Sequence, residues 1–274
     1  MALSQVSLTA SARNNLLALQ NTASLLQTTQ NALATGKKVN NAIDNATAYF
    51  ASQGFLNRAN DLSNLKDNLS TAVQTVTSVG QSITDVQNVV SELQGLATSA
   101  LQTTDTTSRA GLASQFNALR TQLDLLVNDA TFNGTNLLNS TGNQLVVYFN
   151  ETNTTSLTIT GVNITSAGLT INAAQNAFAT TADINTSASL LLTALTTLRT
   201  DASTFGTNAT LIQTRQDFTN NLINSLQTAS DNLVLADINQ QGANLQALQA
   251  QDQLGIVSLG ISGQLQNAIL RLFP

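Results

Sequence analysis

The chain contains no cysteine, no histidine and no tryptophan among its 274 residues, and its one proline is the last residue. Without cysteine there can be neither a disulfide nor a thiolate metal site. Without histidine the commonest metal ligand and the usual general base are missing, and the HExxH motif of zinc peptidases cannot occur. Glycine-rich phosphate loops are absent too, and Asp201 and Asp217, imaginable as an acid and a base, are typical of solvated helix surfaces. We therefore expect no enzyme: no catalytic residue, no cofactor and no metal.

Charge is scarce as well. Only 9% of the residues are charged, against about 25% in typical globular domains, and Asn, Gln, Ser and Thr take their place. Such a surface can be buried against neighbouring molecules without stranding ions, which suits a polymer subunit, although compositional drift would give the same numbers. The net charge of −5, with Lys37 and Lys38 as the only adjacent basic pair, argues against nonspecific nucleic-acid binding.

Long hydrophobic runs are missing. Residues 1–12 have no basic segment followed by a continuous apolar core, so we expect no cleaved secretory signal. No stretch of about 18 apolar residues exists, and the sequence therefore predicts no membrane-spanning helix and no membrane partner. If the protein leaves the cell, it is expected to use a route that cleaves no signal peptide.

What the chain does have is a set of apolar rows with seven-residue spacing at both ends, as in coiled coils. The N-terminal row is Ala12, Leu19, Leu26 and Leu33, with Leu16 and Ala23 in the companion register. The C-terminal rows are Leu226, Leu233, Ala247, Leu254 and Ile261, and Ala229, Ala236, Ala243, Ala250 and Val257. Neither end has a partner helix beside it in sequence. We expect the two ends to pair antiparallel and to assemble with other copies; an ordinary intramolecular helix pair without assembly is the alternative.

Between the ends, the pattern predicts a mainly α-helical protein with a small β-hairpin region in the middle. The expected helices are a first one that stops at Gly36, a second over 45–103 and a third after Ser108. After the β region a fourth is expected from about Asp183 through Leu222, which Phe205-Gly206 could bend, and a last tract from there to Leu272. A β-rich segment at 145–149 and a strictly alternating one at 156–160 predict the hairpin, and Asn133-Gly134 predicts a turn before it. Residues 161–182 fit no pattern.

Four stretches, taken together and in this order, resemble segments of bacterial flagellin. They are the helix-to-helix spacer at 33–46 (LATGKKVNNAIDNA), the turn before the hairpin at 131–138 (TFNGTNLL), the glutamine–arginine segment at 212–218 (IQTRQDF) and the terminal signature at 265–273 (LQNAILRLF). The resemblance implies a short flagellin without extra outer domains, in which terminal helices form an inner coiled coil and the rest forms a rod. The implied divisions are an N-terminal inner-core helix and spacer at 1–44, rod helices with the hairpin at 45–182, a C-terminal rod helix at 183–228 and a C-terminal inner-core helix at 229–274.

The same resemblance implies a function. A flagellin is exported unfolded and polymerises outside the cell into the flagellar filament, the propeller for swimming. The implied partners are other copies of the chain, the flagellar export apparatus, an export chaperone, and the filament cap and junction proteins. A hook–filament junction protein, which shares similar terminal helices, is the alternative, and a free-standing secreted coiled-coil adhesin is a more distant one. The residues expected to drive filament assembly are Leu16, Leu19, Ala23, Leu26, Leu33, Leu254, Val257, Ile261, Leu265, Ile269, Leu272 and Phe273.

Overall fold

The computed structural model describes residues 10–272, without the side chains of residues 266, 267 and 269–272. The elements in chain order are α1 (Ala10–Thr35), α2 (Ala46–Gln102), α3 (Thr106–Asp129), β1 (Gln144–Tyr148), β2 (Ser156–Thr160), a short 3₁₀ helix (Gln175–Phe178), α4 (Thr181–Val234) and α5 (Ile238–Leu272). The chain divides into a central unit, residues 59–224, and a terminal unit, which joins the residues up to 58 to those from 225 onwards. The mainly α-helical fold with a small hairpin is as predicted.

Within the central unit, the buried side chains of α2 recur in alternating steps of three and four residues, the heptad pattern of a coiled coil. This row is Leu62, Leu65, Leu69, Ala72, Val76, Val79, Ile83, Val86, Val90, Leu93, Ala97 and Ala100. A matching row on α4 is Ile184, Ser187, Leu191, Ala194, Leu198, Phe205 and Ile212. α4 continues through Phe205-Gly206 without a break, and Phe205 is a buried member of the row.

The hairpin pairs β1 with β2 antiparallel, with Leu145 opposite Ile159 and Val147 opposite Leu157. β2 alternates as predicted, with Ile159 buried between exposed residues. β1 alternates in the same way, with Val147 buried between the exposed Val146 and Tyr148. The Asn133-Gly134 turn is also confirmed. Both of its residues have positive φ, 49° and 79°, and Phe132 and Thr135 exchange two backbone hydrogen bonds of 3.0 Å across it.

A buried arginine joins several loops of the central unit. The Nε of Arg109, a residue of α3, donates to the carbonyls of Ala100 (3.1 Å) and Thr103 (2.8 Å), and its Nη1 donates to the carbonyl of Ala179 (3.2 Å). These acceptors lie at the end of α2 and just before α4, so one side chain links the α2–α3 connection to a segment 70 residues further along the chain. The negative end of the α2 dipole also favours a cation there.

The start of α4 differs slightly from the prediction. Helix was expected from about Asp183 as N-cap, whereas α4 begins at Thr181 and Thr180 caps it. The Asp183 backbone amide donates to the Thr180 hydroxyl oxygen at 3.2 Å, and the Asp183 carboxylate accepts from the Thr180 backbone amide at 3.2 Å. This reciprocal pair is a capping box in which Asp183 holds the third helical position.

The terminal unit contains the largest departure from the prediction. The last helical tract was expected to be continuous to Leu272, but it is interrupted at residues 235–237, between α4 and α5. Asp237 restarts the helix, because its carboxylate accepts from the backbone amides of Asn239 (2.9 Å) and Gln240 (3.2 Å). The predicted end of the first helix at Gly36 is confirmed, with Gly36 in the left-handed conformation at φ 69°.

Candidate assembly surface

The terminal unit is built on an antiparallel pair of α1 and α5. At one end the pair is anchored by its own backbone, where α1 leads into the spacer and α4 into α5. The Ala236 amide donates to the Gly36 carbonyl at 2.9 Å, and the Lys38 amide donates to the Val234 carbonyl at 2.8 Å. The left-handed Gly36 turns its carbonyl into this contact, which fixes the start of α5 against the end of α1.

A polar and small-residue seam joins the two helices along their length. On α5 the residues that are shielded on the side of α1 are Gln241, Leu245, Leu248, Asp252, Gly255, Leu259 and Ser262, all of them half-buried. On α1 the facing row is Ala12, Asn15, Leu19, Thr22, Leu26, Thr29 and Leu33, all buried or half-buried. Both rows have heptad spacing, but only three of the seven positions on α5 are large apolar side chains. The pair therefore buries little apolar area for its length.

Two contacts near the far end of the pair fix how the helices meet. The side chain of Leu19 lies over Gly255 so closely that a Cβ added to the glycine would come within 2.8 Å of Leu19 Cδ1. One turn further along, Asn15 Nδ2 donates to Ser258 Oγ at 3.1 Å. Leu19 thus packs as a knob directly over the backbone of Gly255, where a large side chain would have to displace it.

The opposite side of α5 has the composition of a helix core but is open to solvent. We call it the outward stripe: Ala243, Ala247, Ala250, Leu254, Val257, Ile261 and Leu265. All seven residues are apolar and exposed, and its large members remain 69% (Leu254), 59% (Val257), 53% (Ile261) and 60% (Leu265) exposed. At about 100° of rotation per residue, this stripe is turned about 140° away from the seam. α5 is therefore a two-faced helix whose more apolar face has no partner within the described terminal unit.

The predicted assembly residues fall on both faces of the pair. Leu19, Leu26 and Leu33 lie in the α1 seam, Leu16 is half-buried beside it, and Ala23 is exposed. Leu254, Val257, Ile261 and Leu265 all lie on the outward stripe. The side chains of Ile269 and Leu272 and the whole of Phe273 lie outside the described residues.

Two details of the seam in the single chain differ from the predicted rows. The companion row on α1 is Asn15, Thr22 and Thr29 instead of Leu16 and Ala23, and the predicted α5 rows do not face α1. Hydrophobicity favoured the leucines and alanines, whereas in the single chain the helices meet at Leu19 over Gly255 and at the Asn15–Ser258 hydrogen bond. Hydrophobic periodicity gives no signal for these two contacts. The break before α5, in contrast, had one: Asp237 followed by Gln240 matches a capping box.

Three carboxylates of the described residues have shifted pKa values. Burial raises the pKa of Asp201 above its usual value, while hydrogen bonds from Ser108 lower the pKa of Asp105 and a hydrogen bond from the Thr180 hydroxyl lowers that of Asp183. Asp201 and Asp217 are 16 residues apart on one helix, which separates them by about 24 Å, so they cannot act on one bond. Among the described residues no group of three carboxylates could hold a metal ion, and none of the helices described is long and apolar enough to cross a membrane.

Comparison with known proteins gives a consistent picture over the whole chain. The family described as bacterial flagellin N-terminal helical region matches residues 6–143. Flagellin FljO of Caulobacter vibrioides is 32% identical over 262 residues, which cover 94% of this chain and 95% of the relative. Flagellin FljK of the same organism is 31% identical over the full length of both chains. Among solved structures, Bacillus cereus flagellin matches with a TM-score of 0.49 at 18% identity, covering 56% of this chain and 88% of the other.

Proposed function

Because the chain belongs to the flagellin family, we propose that it polymerises through its terminal helices, with the outward stripe of α5 as the main contact between copies. A flagellin is a structural subunit of the bacterial flagellar filament, so the chain functions mechanically, in the propeller outside the cell. The hook–filament junction alternative lacks comparable support, since the relatives that match the chain from end to end are flagellins.

The observation that carries the proposal is the unpaired outward stripe. A soluble single chain gains nothing by exposing Leu254, Val257, Ile261 and Leu265 along one line, and contiguous apolar patches of this kind mark contact surfaces. The exposed parts of these four side chains together equal about two and a half complete ones. Their burial would contribute roughly 4–7 kcal/mol per copy before the cost of association.

That contribution is of the size a polymer contact needs, but it is not sufficient alone. A dissociation constant of about 1 μM corresponds to about 8 kcal/mol, so other surfaces must add to it. Leu17 and Leu25 of α1 are 58% and 55% exposed and can supply part of the difference. In a filament the surface of one copy meets a different surface of the next, because a head-to-tail contact that does not close into a ring propagates as a helix.

The predicted residues of the α1 seam have a different role in this proposal. Leu19, Leu26 and Leu33 hold α1 on α5 within one copy, and so position the outward stripe for the next copy. Ile269, Leu272 and Phe273 belong to the C-terminal signature and remain predicted assembly residues. We retain the predicted divisions at residues 44, 182 and 228 as part of the proposal.

Export is the second part of the proposed function. Before assembly the outward stripe must be kept from premature contacts, so we expect an export chaperone to cover it as a groove covers an amphipathic helix. Passage through the flagellar export apparatus as an unfolded chain, without cleavage of a signal peptide, suits a sequence without cysteine or internal proline. Filament cap and junction proteins are the remaining expected partners.

Seeded polymerisation tests the proposal. Short filament fragments are mixed with the purified full-length chain or with a chain truncated after Asp237, and growth is followed by light scattering and electron microscopy. The full-length chain is expected to extend the seeds as a tube with a narrow central channel. The truncated chain is expected not to grow, while circular dichroism still reports the helices of the central unit. Growth of the truncated chain at the full-length rate would contradict the proposal.

A further inference from the structure

α1 could pack against either of two faces of α5. α5 offers two heptad faces, and hydrophobic burial alone favours the outward stripe, in which all seven positions are apolar. Nevertheless α1 lies on the seam, which includes Asp252, Gly255 and Ser262. Something other than apolar area therefore decides which face α1 meets.

Gly255 favours the seam face of α5 on steric grounds. Leu19 Cδ1 occupies space within 2.8 Å of where a Cβ would stand, closer than the 3.5–4.0 Å of ordinary carbon contacts. The other glycines of α5 do not share this property, because an added Cβ at Gly242, Gly260 or Gly263 would meet nothing within 4 Å. If α5 turned its outward stripe to α1, Leu19 would face the bulk of Leu254 and Val257 instead of an open hole.

Ser258 favours the seam face through a hydrogen bond. Its hydroxyl accepts the amide hydrogen of Asn15 at 3.1 Å. The bond lies at the solvent-exposed edge of the seam. With the outward stripe turned inward, Asn15 would face aliphatic side chains, which offer its amide no hydrogen-bond acceptor. A polar group in a helix seam is an established way to select one arrangement over a more apolar competitor.

We propose that Gly255 and Ser258, recognised by Leu19 and Asn15, select the face of α5 that α1 covers. α1 is thereby held on the poorer face of its own chain, and the outward stripe is reserved for a second copy. The choice of face stands on the geometry of one chain. Its use in keeping the stripe free for other copies rests on the proposed function.

The face that α1 covers can be measured with pairs of thiols, since the chain has no cysteine of its own. Leu26 and Leu248 are one heptad from the Leu19–Gly255 contact on the seam, and the pair Leu26→Cys with Leu248→Cys reports this face. The pair Leu26→Cys with Ala250→Cys reports the outward stripe at nearly the same height. Each pair is treated with a short thiol-to-thiol cross-linker in dilute full-length chain, and the intrachain products are quantified by peptide mass spectrometry.

The test substitution is Gly255→Leu, because a methyl group alone could be absorbed by a rotation of the Leu19 side chain. We expect the parent chain to give the seam product almost exclusively. Gly255→Leu should lower the ratio of seam to outward product on the order of tenfold, equivalent to about 1.4 kcal/mol. Gly260→Leu is the matched control on the same helix and should leave the ratio unchanged. Adding Leu19→Ala to Gly255→Leu empties the space again and should restore the parent ratio.

Two results would overturn the inference: a parent chain that gives no seam product, or a Gly255→Leu chain that keeps the parent ratio. The link to assembly is tested separately by seeded growth of Gly255→Leu, which should be lost together with the free stripe. A shifted ratio with normal growth would refute that link. Cross-linking in a dilute single chain needs no filament, so failure of the parent chain to polymerise would count against the proposed function alone.

Discussion

Replacement of Leu254 by glutamine is the most direct single test of the outward stripe. Leu254 is 69% exposed in the isolated chain, so the substitution removes almost nothing from the core. Glutamine has nearly the same helix propensity as leucine, which leaves α5 itself unperturbed. Any effect should therefore appear in assembly and not in folding.

The magnitude follows from the exposed fraction. Complete burial of a leucine side chain contributes about 1.5–3 kcal/mol, and the fraction still available at Leu254 corresponds to about 1–2 kcal/mol when a neighbouring copy covers it. Each 1.4 kcal/mol is a factor of ten, so the critical concentration for polymerisation should rise about five- to thirtyfold. The thermal unfolding of the unpolymerised chain should remain unchanged, as is usual for exposed positions.

The critical concentration is measured by sedimenting filaments grown from seeds at a series of chain concentrations. Ile256→Gln is the matched control, because Ile256 is on the same helix and is 55% exposed but belongs to neither the seam nor the outward stripe. If Leu254→Gln polymerises at the parent concentration, the stripe is not a contact between copies. If Ile256→Gln has the same effect as Leu254→Gln, α5 is covered on all sides and the stripe has no special role.

How far the sequence could predict this structure depended on the kind of interaction. Long helices were predictable because proline is absent from their interiors and buried side chains keep one period over many turns, as in α2 from Leu62 to Ala100. Turns such as Asn133-Gly134 were predictable because the positive φ values require residues of this type. In both cases the information is local.

The orientation of α5 could not be predicted in this way, because it depends on two residues more than 230 positions away. In the sequence, Gly255 resembles any glycine that weakens a helix. Only the position of Leu19 shows that it makes room for a side chain. Ser258 likewise resembles any exposed helical serine until Asn15 is opposite it. Hydrophobic periodicity gave more weight to Leu254 and Val257, and so identified the face that the single chain leaves free.

The remaining predictions concern the central unit. Arg109→Leu should lower the free energy of unfolding by about 1–3 kcal/mol, because the carbonyls of Ala100, Thr103 and Ala179 lose their donor. Urea denaturation measures this change. Arg120→Leu, which removes a single bond to the Ile171 carbonyl, should lower the free energy of unfolding by less. Asp201→Asn should instead raise the free energy of unfolding at pH 7. Burial raises the pKa of Asp201, so the folded state holds its proton more tightly than the unfolded state does. Its contribution is therefore most favourable below the unfolded pKa and declines as pH rises through the folded pKa. The asparagine variant should consequently be more stable than the parent at pH 7, with a difference that shrinks when urea denaturation is repeated at progressively lower pH. A difference that instead grew towards acid pH would mean that the Asp201 carboxylate is stabilised in the folded chain, and would refute this account of its surroundings.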